Sequence, residues 1–397
     1  MIKTVGERRK SSRKCGIYIH FPFCRSKCLY CDFHSLPVKD VPAREYLSAV
    51  KKEILQRAEI LSELSATTIY FGGGTPSLWN AGAVSEVISL INSLSGREPE
   101  EITLEGNPDS LVPTAIRDFK NAGINRISIG IQSFDDRVLS LLGRIHSSRQ
   151  ASEAIETSLD AGLNTSVDIL LCKPFDGAEN GLNDVARAAS TGCHHISAYI
   201  LTPEEGTPLK SLLDEGKISL PDDFISSEIF MLARDRLIEA GFEHYEISNF
   251  AKPGFRSLHN SLYWKGSYYL GFGAGAHSFL PPRNGSLYPS RESCSLLPSE
   301  YMERMESGGE IHSVEFLDPV SLFKDFIITR FRLLDGFHRS ELERAIPEGR
   351  EAGIMDALRS CSERGLVIEH GGKISLSAHG ILLSNDVFLS FFDAVDH

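Results

Sequence analysis

From Gly16 to Leu201 the chain alternates short β-rich runs with amphipathic stretches, and that alternation restricts it to folds built on a parallel sheet. The strand candidates are 16–21, 67–74, 101–108, 125–134, 164–171 and 194–201. Between them lie 44–61, 81–94, 114–123, 147–162 and 179–190. Their apolar residues recur at helical period, and several end in glycine. Six such units suit either a barrel or an open doubly wound sheet. Polar and thiol residues fall at the C-terminal ends of different strands: Cys24 to Cys31, Gly72 to Thr75, Glu105, Gln132 and Asp168. A barrel gathers those ends into one mouth, whereas an open sheet strings them along a line. The prediction is therefore an α/β chain with a partial (β/α)6 barrel.

The barrel and a glycine- and aromatic-rich extension are assigned to 16–280. Residues 281–315, with Pro, Ser, Arg and Asn, read as a linker. Residues 316–397 read as a small, mainly helical, winged-helix-like C-terminal domain, with a hairpin turning at Gly371-Gly372. Residues 1–15 read as a basic flexible tail. Its Lys3, Arg8, Arg9, Lys10, Arg13 and Lys14 face only Glu7, so peripheral contact with an anionic membrane is one expectation.

The net charge of −12 argues against a general nucleic-acid binder. No run of eighteen apolar residues reads as a transmembrane helix, and the polar start MIKTVGERRKSSRK does not read as a secretory signal. Eight cysteines in 397 residues are too few for a disulfide scaffold. Three of them, Cys24, Cys28 and Cys31, follow the first strand as C-x3-C-x2-C. This pattern fits a reducing cytoplasm and one thiolate metal site. A 4Fe-4S cluster on three thiolates keeps one iron open to a small chelating ligand. Zinc with three cysteines and a histidine, His20 or His34, is the competing reading. Phe21, Phe23, Tyr30 and Phe33 would shield a cluster from water.

C-x3-C-x2-C after the first strand of a βα barrel resembles the radical S-adenosylmethionine (radical SAM) superfamily. The resemblance implies SAM on the open iron, chelated through its amine and carboxylate, and electron-driven cleavage to a 5′-deoxyadenosyl radical. It also implies that the glycine-rich FGGGTPS holds the methionine part of SAM through Gly73, Gly74 and Thr75. Glu105 is suited to an amine or ribose hydroxyls, and Arg144 to a carboxylate. Gln132 and Asp168 complete the polar mouth, with Tyr18 and Tyr30 beside the cofactor.

YIHFPFCRSKCLYCDF, GINRISIGIQSFDD, LGRIHSS, YEISNFAKPGF, HNSLYWKGSYYLGFGAGAHS and FKDFIITRFRLLDGF occur in the order found in the oxygen-independent coproporphyrinogen III oxidase-like group. The dehydrogenase branch carries a further cysteine two residues after the third. This chain has Asp32-Phe33 there and resembles the haem-chaperone branch. The resemblance implies a cytoplasmic protein that binds haem and delivers it to a haem-acceptor protein, respiratory acceptors included. An electron donor is implied only if SAM is cleaved. The alternatives are the dehydrogenase itself or another radical SAM activity on a tetrapyrrole. HNSLYW resembles that branch's haem motif, which nominates His259, Tyr263 and Trp264; His277 in GAGAHSF is a second imidazole. One segment departs from the group. Where the group reads G-L-P-G, this chain has Cys172, Lys173, Pro174 and Phe175, and bulk there is expected to narrow the space over SAM.

Overall fold

A computed structural model describes residues 14–174, 178–283 and 285–397, with the side chains of 178–180 left aside. Residues 1–13 of the basic tail, and Phe175, lie outside the described residues. Lys14 and Cys15, assigned above to the tail, instead begin the first strand.

Six parallel strands form the barrel wall: β1 (Lys14–Phe21), β2 (Ser65–Gly73), β3 (Glu101–Gly106), β4 (Arg126–Gln132), β5 (Asn164–Leu171) and β6 (His195–Ile200). Each pairs with the next in sequence. The interiors of β2 and β4 are buried on both faces, as parallel strands covered by helices must be. Helix Ala81–Ser95 shows the local logic. Asn80 caps its start by accepting from the Ala83 N–H, and Gly96 ends it at φ 62. Val84, Val87, Ile88 and Ile91 form its buried stripe.

The sheet continues at both edges. β7 (Glu243–Glu246) and β8 (Asn249–Ala251) add antiparallel strands beside β6. β9 (Tyr268–Phe272) pairs parallel with β1, followed by antiparallel β10 (His277–Leu280), β11 (Ser290–Ser293) and β12 (Ser313–Phe316). The order is β12-β11-β10-β9-β1-β2-β3-β4-β5-β6-β8-β7, a twelve-stranded open sheet whose centre is the partial barrel.

The stretch expected as a linker is built into this sheet. It carries β11 and helix Pro298–Ser307, where Tyr301 donates to the buried Glu53 carboxylate at 2.6 Å. Glu53 also accepts from the Gly273 N–H at 2.8 Å, and Glu292 of β11 pairs with Arg57. Pairing of Tyr301 and Glu292 with Glu53 and Arg57 ties the segment into the fold, although other polar residues in it stay exposed.

Beyond β12 come helices Pro319–Arg332, Arg339–Ala345, Glu351–Glu363 and Ser384–Asp396, with a hairpin of Val367–His370 and Lys373–Leu376. Gly371 and Gly372 sit at φ 58 and 75, as a two-residue turn of the twisted-hairpin type requires. Arg332 ties these helices to the barrel. Its guanidinium bonds Glu246 at 3.2 Å and lies 4.5 Å over the Trp264 ring. Among the described residues no helix is long and apolar enough to cross a membrane.

Candidate functional site

The thiol loop leaves β1 and is tied at its base. Phe23–Cys24 pairs with Leu36–Pro37, and the end of β2 clips the same point. The Gly74 N–H donates to Phe21 O at 2.8 Å, and the Thr75 N–H to Phe23 O at 2.9 Å. A Cβ on Gly74 would lie 2.6 Å from Phe23 O and 3.0 Å from Cys24 Sγ, so only glycine lets this turn approach the thiol loop so closely. Gly73 adopts φ 112 against the His20 ring. Thr75 Oγ1 lies 3.5 Å from Cys24 Sγ and Arg144 Nη1 3.4 Å from Cys28 Sγ, and the Tyr30 phenol also bonds Cys28.

Cys24, Cys28 and Cys31 face one cavity of about 500 Å³, together with Tyr30, Gly73, Gly74, Thr75, Glu105, Gln132, Arg144 and Asp168. Burial pushes the Cys31 thiol up, and the neighbouring Cys28 and Cys24 add to that. Burial likewise raises the Tyr30 phenol. Among the described residues no three His, Cys, Asp or Glu side chains converge as a single metal ion requires. His20 bonds Tyr18 and the His34 carbonyl, and His34 Nε2 bonds Leu296 O. The zinc reading therefore has no free partner in His20. Three thiols spread around one cavity, with Arg144 beside them, fit an anionic multi-iron cluster that takes one thiolate per iron.

The polar mouth is a connected set. Arg144 donates to Asn107 Oδ1 at 2.7 Å and to Gly130 O, while Asn107 Nδ2 donates to Thr75 Oγ1 at 3.2 Å. Asn107 sits in LEGNP two residues after Glu105, and its place on the turn after β3 was the available signal for it. Glu105 accepts from Tyr70 Oη at 2.6 Å and from the Gly73 N–H at 3.2 Å. Burial raises its carboxyl to about 7, against the Tyr70 bond and with help from the negative charge of Asp168. Burial also raises Asp168, offset in part by Ser197, Arg126 and the Ser128 hydroxyl. Gln132 sits at φ 64, in the left-handed region, where the β4–β5 register slips.

A second cavity, of about 1000 Å³, adjoins the first; Phe33, Gly73 and Glu105 line both. Tyr18, expected beside the thiol-lined cavity, lines this one instead, as do Tyr263 and Trp264. His259 lines neither. It is 1% exposed, stacks on Tyr70 at 4.9 Å, and has both ring nitrogens engaged at 2.7 Å, by Thr68 Oγ1 and Tyr263 Oη. Burial first, then Arg126, lowers it to about 3. The expectation of His259 as a haem ligand meets a ring with both nitrogens engaged, placed as a brace behind the wall. Tyr263, at i+4 on the same helix face, reaches His259 with its hydroxyl, and it and Trp264 line the cavity.

The altered segment also differs from expectation. Cys172 takes φ 58 and is 3% exposed, with Sγ 3.9 Å from Ser226 O. Lys173 is fully buried, its Nζ 2.9 Å from both Leu170 O and Asp184 Oδ2. Neither side chain lines the thiol-bearing cavity, so the bulk at these two positions turns away from it.

The model of the radical SAM superfamily matches residues 18–180. Among solved structures, the coproporphyrinogen III oxidase HemN of Escherichia coli, a radical SAM enzyme, superimposes with a TM-score of 0.80. That match covers 96% of this chain and 90% of the other at 19% identity, a likeness of fold. The heme chaperone HemW of Escherichia coli K12 is 33% identical over 90% of this chain and 94% of its own length. HemW of Bacillus subtilis is 30% identical over 94% and 98%. The mitochondrial radical S-adenosyl methionine domain-containing protein 1 of Bos taurus is 32% identical over 96% and 87%. Fold and thiol loop thus define a radical SAM protein. Within that superfamily, the chain belongs to the HemW family.

Proposed function

We propose that this chain is a haem chaperone. In this reading it carries a 4Fe-4S cluster on Cys24, Cys28 and Cys31, binds SAM in the thiol-lined cavity, and holds haem in the adjoining larger one. The observation that carries the reading is the pair of cavities with a common wall of Phe33, Gly73 and Glu105. The larger one combines aromatic rings, three histidines and several cations, a lining suited to a flat apolar macrocycle with acidic arms. The relatives named heme chaperones support the same reading.

The cluster would supply a Lewis-acid iron with one open position. The protein's own part is to bind and orient. Arg144, fixed by Asn107 and Gly130, is placed for a carboxylate; Glu105 and Asp168 suit an amine or ribose hydroxyls; Gly73, Gly74 and Thr75 shape the floor. Tyr30 closes the side nearest the cysteines. Haem then passes to a haem-requiring acceptor, respiratory proteins included. An electron donor enters only if SAM is cleaved. The reducing cytoplasm is the proposed compartment; among the described residues the eight cysteines form no disulfide. Peripheral membrane contact through the basic N-terminus is retained as part of the proposal.

The test is anaerobic reconstitution followed by three measurements: iron and sulfide content, haemin titration, and incubation with SAM and coproporphyrinogen III. The expected result is one four-iron cluster, saturable haemin binding and no decarboxylated product. Formation of protoporphyrinogen would overturn the chaperone reading in favour of the dehydrogenase.

A further inference from the structure

We infer that His277 is the axial ligand of the bound haem and that Lys265 and Arg344 take its two carboxylates. The inference rests on the reading that the larger cavity holds haem.

Three histidines line that cavity: His20, His34 and His277. An axial ligand needs a ring nitrogen whose lone pair is open to the cavity. His20 has none, because Tyr18 Oη and His34 O occupy both nitrogens at 3.1 and 2.9 Å. His34 spends Nε2 on Leu296 O at 2.9 Å, which holds its ring against the wall and leaves only Nδ1 open, so it ranks behind a ring with both nitrogens open. His277 is exposed to the cavity, and among the described residues its ring makes no hydrogen bond. Its backbone is nonetheless fixed. It opens β10 opposite Ser293 of β11, and its carbonyl lies so close to Gly271 that a Cβ there would come within 2.2 Å. A ring with both nitrogens open, on a strand fixed by its pairing, is suited to take an iron without breaking other contacts. Phe279, two residues on, shares its face of β10 and lines the same cavity, giving the macrocycle an apolar rest beside the imidazole.

The cations sort in the same way. Four stand on the wall: Lys265, Arg291, Arg330 and Arg344. Arg291 is held by Asp325 and Glu315, and Arg330 by Glu341. Lys265 and Arg344 have no carboxylate within ion-pair distance among the described residues. Arg344 spends only its Nε, on Ser340 O at 3.0 Å. Two unpaired cations match two propionates. They come from different parts of the chain: Lys265 follows helix Leu258–Trp264, and Arg344 lies on helix Arg339–Ala345. The C-terminal helices therefore supply a recognition group, not only a wall.

The test titrates ferric haemin, and separately haemin dimethyl ester, into the full-length, cluster-loaded chain, with the Soret band and the ferric electron-spin resonance spectrum as readouts. His277→Ala is expected to weaken haemin binding about tenfold or more and to abolish the nitrogen-ligand signature. Added imidazole should restore that signature. His277→Gln repeats the test in case the smaller side chain disturbs β10. His259→Phe should keep the wild-type ligand spectrum. Wild type should prefer haemin over its ester about fivefold or more, and Lys265→Gln with Arg344→Gln should erase that preference. An unchanged ligand spectrum in both His277 variants overturns the axial assignment. A surviving preference for haemin in the double variant overturns the anchors. Failure of wild type to bind haemin saturably overturns the chaperone reading itself, a result distinct from either.

Discussion

Replacing Glu105 by Gln should change how the stability of the chain depends on pH. The ordinary value of the carboxyl is 4.5, and in the fold it titrates at about 7 because burial penalises its charge. The folded chain thus holds this proton more tightly than the unfolded chain by about 3 kcal/mol, at 1.36 kcal/mol per pH unit. Because the carboxyl faces an open cavity, that figure is an upper value. The value is raised on folding, so the contribution is fully present below pH 4.5 and is lost as pH rises through 7. Wild type should therefore lose up to about 3 kcal/mol relative to Glu105→Gln between pH 4.5 and 8. The amide keeps an acceptor for Tyr70 but turns a donor toward the Gly73 N–H, which shifts the variant's absolute stability and leaves the slope as the readout. Urea unfolding of the cluster-free chain under reducing conditions, followed through the buried Trp79, measures it at each pH. Parallel pH profiles for the two proteins would refute the reasoning, since Glu105 would then be ionised in the fold as easily as in water.

Two other substitutions probe the frame of the site. Gly74→Ala places a Cβ against Phe23 O and Cys24 Sγ; it should cost about 1–3 kcal/mol and lower the iron bound after reconstitution. Full iron loading would show that the turn has room to give. Lys173→Ala leaves the Asp184 carboxylate buried with, among the described residues, Ser133 and the Phe134 N–H, and should cost about 3–5 kcal/mol in urea unfolding. Adding Asp184→Asn should recover part of that loss, and simple additivity of the two changes would contradict a direct pair.

The barrel was readable because short β-rich runs alternate regularly with amphipathic helical stretches; 164–171 coincides with β5 end to end. The thiol cavity was readable for a related reason: its residues sit at successive strand ends, and barrel geometry brings them together whatever the loops do. The misjudged residues depend on contacts between distant segments. Pro, Ser, Arg and Asn gave 281–315 the look of a linker, yet Glu292 and Tyr301 within it pair with Arg57 and Glu53 inside the fold. His259 carries the chemistry of a ligand, but Thr68 and Tyr263 take both its nitrogens, and Thr68 is 191 residues away. Cys172 and Lys173 occupy positions suggestive of the mouth, but a left-handed φ at Cys172 and the Asp184 carboxylate draw them elsewhere.

Phe33 shows how the two halves of the site depend on each other. It is 62% exposed, an unusual position for a phenylalanine, and it lines both cavities. A cysteine at 33 would present a fourth thiol to the shared wall; a phenyl ring presents an apolar face to the larger cavity instead. The thiol loop therefore shapes the larger cavity as well as its own. The larger cavity in turn needs helices from beyond β12, since Phe326, Arg330 and Arg344 complete its wall and Arg332 locks that wall to Trp264 and Glu246. The smaller cavity draws on the barrel and its loops alone. Weakening the Arg332 contacts should therefore impair macrocycle binding before it impairs the cluster, because only the larger cavity is built across that junction.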